Sequence, residues 1–147
     1  MNNLSHTLIN MQQLLEELHA VLSEELSQLR RPQVNPVSLQ MLSDNKSRLL
    51  SALAFFDQQR QRQEKVLALA APYAQHADLH ALWENIAARV RLTKESNLAI
   101  YPLIELQMKK AAALNKLVKK AGSGAALYSA DGRTHSGLKG KAYNINI

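Results

Sequence analysis

His76 and His80 stand four residues apart with Asp78 between them, the spacing at which two imidazoles share a helix face and could ligate one metal ion. Two ligands do not make a site, and nothing supplies a third. Glu16-Glu17 and Glu24-Glu25 offer paired carboxylates, the groups that hold di-metal centres in helical bundles. Such centres also need Glu-x-x-His partners, which do not accompany these pairs, so the pairs read as a polar helix face. Gly122-Ser-Gly124 lacks a preceding strand and a phosphate-loop Lys-Ser/Thr, and reads as a helix terminator. The remaining histidines, His6, His19 and His135, are scattered and read as solvated. With no cysteine there is no thiolate chemistry, disulfide or Cys-ligated zinc. The expectation is a protein that is no enzyme, with no catalytic residues, metal or cofactor.

A chain of 147 residues is long enough for one domain with a real core. No basic stretch followed by an apolar run opens the chain, so no secretory signal is visible. Its apolar runs fall far short of the roughly 20 residues that span a bilayer. No direct membrane insertion is expected, and a cytoplasmic address follows by elimination. The net charge of +6 is uneven. Residues 109–147 hold eight Lys/Arg against Asp131 alone, giving +7, so residues 1–108 carry ten basic and eleven acidic side chains, giving −1. The basic end lacks arginine clusters and interleaved aromatics, which ranks nucleic acid low as a partner.

The elements that position these groups are helices. Leu4, Leu8, Met11, Leu15, Leu18, Leu22 and Leu29 step by fours and threes, with Glu25 interrupting the seam. This predicts an amphipathic helix over about 4–31, with Ser5 as a candidate cap and Pro32 as its stop. Asn35-Pro36 opens a second helix over about 36–71, with Asn as cap and Pro at the first helical position. Its seam runs through Leu39, Leu42, Leu49, Leu53, Phe56 and Leu67, with Lys46, Arg60 and Gln63 at polar interruptions. The nearly apolar-free run 57–65 is expected to be solvated. A third helix is expected over about 79–120, with Pro102 bending it rather than breaking it. Trp83 reads as core or a shielded hinge contact.

Helix three carries two apolar stripes at about 100° per residue. One holds Ile86, Val90, Ile100, Ile104, Met108, Ala111 and Val118, interrupted by Asn97. The other, about a third of a turn away, holds Leu92, Ala99, Leu103, Leu106, Leu114 and Leu117. The narrow seams of the first two helices cover one stripe more easily than both. The second is either the wide core face of a bundle helix or a surface for a partner helix. Helix three also outruns helix two by about 10 Å, so its C-terminal end is expected to project as an interaction site or a homodimer seam.

The tail, 122–147, is expected to be flexible and basic. It nevertheless keeps Leu127-Tyr128 before an Asp131-Gly132 turn, and Tyr143, Ile145 and Ile147 alternate with small or polar residues as in a strand.

Leu127-Tyr-Ser-Ala-Asp-Gly-Arg, followed by a Gly/Lys-rich end closing on Asn-Ile-Asn-Ile, resembles the Leu-Tyr-x-Ala-Asp-Gly tail of FlgN-type flagellar export chaperones. The second helix is similar to that family's pattern as well: Leu39-x-x-Leu42-x-x-x-Lys46-Ser-x-Leu49-Leu50-x-x-Leu53, then Gln58-Gln-Arg60. Asn97 matches the family's polar position in helix three.

The resemblance implies a cytoplasmic, substrate-specific chaperone of flagellar type III export. Such proteins bind the C-terminal helices of the flagellar hook-associated (hook–filament junction) proteins and escort them to the export gate. Carried over by position, Ile100, Leu103, Ile104, Leu106, Met108, Leu114 and Leu117 would form the cargo groove. Leu127, Tyr128 and Asp131 would dock on the cytoplasmic domain of the export-gate membrane protein. The rival reading is a self-associating coiled-coil structural or adaptor protein, with a homodimer through the second stripe. In either case the expected fold is all-α: an elongated antiparallel three-helix bundle, or coiled-coil hairpin, over 1–121 with a long third helix.

Overall fold

The computed structural model describes residues 2–121, and these fold into three helices: α1 (Asn2–Leu29), α2 (Pro36–Leu67) and α3 (Ala77–Lys120). Among the described residues there is no strand. The all-α expectation holds. The helix ends differ by a few residues from those read in the sequence, for local reasons.

Helix α1 starts at Asn2, which places Ser5 inside the helix rather than at its cap. Helix α2 begins as expected, with Asn35 Oδ1 accepting from the Val37 and Ser38 amides at 3.0 and 3.3 Å ahead of Pro36. Its end comes at Leu67 instead of about Ala71. There Ala68 turns left-handed (φ 54°) and donates to the Lys65 carbonyl, while the Leu69 amide donates back to Glu64 at 3.0 Å. That pair of bonds satisfies the last carbonyls of the helix without any need for Pro72. Helix α3 begins at Ala77, and His80 Nδ1 donates to the Pro72 carbonyl at 2.7 Å, tying the connecting loop to the first turn. Pro102 lies inside α3, which runs unbroken through it to Lys120.

Helix α1 is the spine. Its whole predicted seam is buried, and its backbone comes close to both α2 and α3, whereas those two meet through long side chains. Thr7 meets Gln63 and Glu25 meets Lys46, so α1 and α2 are antiparallel. Glu16 pairs with Arg89, and Gln107 reaches the carbonyl of Leu29, so α3 runs parallel to α1. Leu49 and Leu53 from α2 and Ile86, Val90, Ile100 and Ile104 from α3 complete the core.

Two polar assemblies are set into this apolar column. In the upper one, Lys46 Nζ donates to Glu25 at 2.8 and 3.2 Å and lies 3.5 Å from Asn97 Oδ1, all three side chains being buried. Asn97 in turn donates to Tyr101 Oη at 3.3 Å. In the lower one, Arg60 pairs with Asp57 (2.9 Å) and Glu64 (2.8 Å), and its guanidinium lies 4.7 Å from the centroid of the Trp83 ring. Tyr73 packs edge-on against Trp83 and donates its hydroxyl to Glu64. The expectation that the polar run 57–65 is solvated therefore fails at Asp57 and Arg60, which are buried. A guanidinium can enter the bundle because two carboxylates and an indole face satisfy it at once.

Candidate interaction surface on the third helix

Helix α3 has 44 residues, α1 only 28. Gln107 Nε2 donates to the carbonyl of Leu29, the last residue of α1, at 3.3 Å. Beyond that bond α3 continues over residues 108–120, about 20 Å at 1.5 Å per residue. No described residue after Ile104 is buried, so the projection expected from helix lengths is present in the structure.

The residues singled out in the sequence divide at this level. Ile100 and Ile104 are 0% and 1% exposed and face α1 in the core. Their expected place in a cargo groove therefore gives way to a core role, because the first stripe of α3 is the one that α1 covers. Leu103 is half-buried at the edge of the core. Leu106 (46%), Met108, Leu114 (46%) and Leu117 (64%) are exposed. Leu106, Leu114 and Leu117 belong to the second stripe, which also carries the exposed Leu92 further down the bundle. Met108 belongs to the first stripe and is bared because α1 has ended. On the projecting segment the second stripe is thus exposed, and of the first stripe Met108 is exposed while Ala111 and Val118 are half-buried. The tail residues Leu127, Tyr128 and Asp131 lie outside the described residues.

Charge frames this surface. Lys109, Lys110, Lys116, Lys119 and Lys120 are all exposed, and among the described residues none of them is in an ion pair. The only acidic residue from Ser96 to Lys120 is Glu105. The surface is apolar and basic together, which is what a helix offers to an amphipathic partner rather than to a small substrate.

Elsewhere the chemistry is structural. Burial acts to lower the Arg60 pKa, but the hydrogen bond with Tyr73 and the charges of Asp57 and Glu64 outweigh it, and the pKa is raised. Tyr73 is pushed well above its ordinary value, first by burial and then by its hydrogen bond to Glu64. Among the described residues no three His, Asp or Glu side chains gather as a metal site. A cleft of about 410 Å³ between the start of α1 and the end of α2 is lined by Asn3, His6, Thr7, Asn10, Phe56, Gln59 and Gln63. No described helix is long and apolar enough to cross a membrane.

Sequence reading missed a further surface. Val37, Met41, Phe55 and Val66 are all exposed, and at about 100° per residue they fall along one outward row of α2. Their wide spacing hid them, since the search for a seam follows the denser leucines on the opposite side.

The model of the FlgN protein family matches residues 1–136. The flagella synthesis protein FlgN of Salmonella typhimurium is 28% identical over 140 residues, covering 95% of this chain and 96% of its own length. The protein of the same name from Escherichia coli is 25% identical over 140 residues with the same coverage. That from Yersinia enterocolitica is 33% identical over 86 residues, which is 58% of either chain. No solved structure matches. A family model that spans nearly the whole chain, over a bundle whose polar layer contains the Lys46 and Asn97 of the family-like pattern, shows that this chain belongs to the FlgN family.

Proposed function

We propose that this protein is a cytoplasmic, non-catalytic export chaperone of flagellum assembly. It binds the C-terminal helices of the flagellar hook-associated proteins and hands them to the flagellar type III export gate. Family membership supports the flagellar assignment. The observation that carries the binding role is the bare end of α3, with Leu106, Met108, Leu114 and Leu117 exposed beyond the last residue of α1.

The physics suits a helix-capturing surface. Each large apolar side chain covered by a partner contributes roughly 1.5–3 kcal/mol before ordering costs. Leu103, Leu106, Leu114 and Leu117 share one stripe, and four such residues suffice for micromolar binding, tight enough to hold a segment and weak enough to release it. Because the surface is already helical and stands clear of the bundle, the partner alone bears most of the ordering cost. The second contact, with the cytoplasmic domain of the export-gate membrane protein, falls to Leu127, Tyr128 and Asp131 in the tail.

Calorimetric titration of the full chain with the C-terminal segment of a hook–filament junction protein tests the reading. Saturable binding is expected, and Leu106→Asp with Leu114→Asp should abolish it while leaving helicity unchanged. Tyr128→Ala should leave that binding intact and remove association with the gate domain. A folded protein that binds no junction segment, and sediments instead as a stable dimer, refutes the chaperone assignment.

A further inference from the structure

The projecting end of α3 also states which kind of helix it accepts, given the chaperone reading above. Taken as a heptad, Leu103, Leu106, Ala113 and Leu117 occupy the two seam positions, and Lys110 stands in the seam between them. Lys109 and Lys116 then occupy the flanking position that faces a partner's flank. All three lysines are exposed, and among the described residues none has a carboxylate partner.

A second copy of this chain is a poor occupant in either orientation. A parallel pair puts Lys110 against Lys110 inside the seam. An antiparallel pair puts Lys109 and Lys116 against each other across the flank. Like charges facing at these positions oppose pairing, and this is how coiled-coil partners are sorted. An acidic helix meets neither obstacle.

We propose that the segment held here is an acidic amphipathic helix. Its carboxylates flank the apolar seam to meet Lys109 and Lys116, and one polar or acidic residue within its seam faces Lys110. The leucines then supply affinity, and the lysines choose the partner and its register. Desolvation of Lys110 between the helices makes a wrong partner costly, because an apolar residue opposite it leaves that charge unpaired.

The test uses the full chain and three probes in calorimetry: the junction-protein C-terminal segment, and two synthetic amphipathic peptides about four heptads long that share one leucine seam with a single Asn placed to face Lys110. One peptide carries Glu at the flanking positions, the other Lys. The Glu peptide is expected to bind about tenfold tighter or more, with the gap narrowing as salt is raised. The combined variant Lys109→Glu, Lys110→Glu, Lys116→Glu should invert the preference with helicity unchanged.

Equal binding of the two peptides, or a preference that the triple variant does not move, overturns the charge selection. So does binding of the junction segment alone. The chaperone reading is decided separately, by whether the junction segment binds. Absence of binding by all three probes overturns both. A concentration-dependent dimer abolished by Leu117→Asp overturns the inference in favour of a second copy.

Discussion

Gln107 donates its side-chain amide to the carbonyl of Leu29, and this bond marks the level at which the bundle stops and α3 goes on alone. Below it, each apolar residue on the inner stripe of α3 has α1 to pack against. Above it α1 has ended: on the same stripe Met108 is exposed, while Ala111 and Val118 are half-buried.

Substitutions on either side of that level should therefore differ sharply. Ile104→Ala empties a core position and should cost about 2–5 kcal/mol. Leu114→Ala and Leu117→Ala should each stay within about 0.5 kcal/mol. Urea unfolding followed by the emission of Trp83, the one tryptophan of the chain, reads both. A Leu114→Ala loss as large as that of Ile104→Ala would show that the end of α3 is covered.

The buried pair Lys46–Glu25 predicts non-additivity. Replacing either partner alone leaves an uncompensated charge among leucines, and Glu25→Leu or Lys46→Met should each cost about 3–5 kcal/mol. The double variant should recover most of that loss, since two apolar side chains fit the surrounding seam. A double-mutant cycle by chemical denaturation checks this, and additive losses would contradict it.

Tyr73 gives a pH signature. Its folded pKa is raised, by burial first and by its hydrogen bond to Glu64 second, so the folded state holds the phenolic proton more tightly than the unfolded state. The stability this contributes is complete below about pH 10, the ordinary tyrosine value, and is lost as pH rises beyond it. Tyr73→Phe should flatten that alkaline decline relative to the parent, and should cost about 1 kcal/mol at neutral pH through the lost hydrogen bond. Thermal unfolding of both proteins between neutral and strongly alkaline pH supplies the comparison. Parallel curves would remove Tyr73 as the cause.

Ala68 holds a left-handed conformation (φ 54°) at the end of α2, where a Cβ crowds the following carbonyl. Ala68→Gly should stabilise the fold by about 1 kcal/mol, seen as a higher urea midpoint at unchanged slope. A lower midpoint would mean that glycine's greater freedom in the unfolded chain outweighs the relieved strain.

Helix positions were legible because fours-and-threes spacing is a local property of the chain. The α1 seam, the Asn35 cap and the stripes of α3 could all be placed from neighbours within a turn or two. The end of α2 was not, because a left-handed alanine does not announce itself as glycine would. Arg60 was misread for a related reason. In sequence it sits in a polar run, and nothing local shows that Asp57, Glu64 and Trp83 converge on it.

Glu25, Lys46 and Asn97 show the division most clearly. The sequence by itself marks each as a break in an apolar seam, one per helix, and determines the three helices, the basic end and the surplus length of α3. Only the tertiary structure decides that the three breaks meet at one level, since that depends on the relative register of helices far apart in the chain. The same register decides which stripe of α3 α1 covers, and hence that Ile100 and Ile104 are core while Leu114 and Leu117 remain available. Periodicity fixes where a side chain points around its own axis. What it meets there is set by the packing of the other two helices.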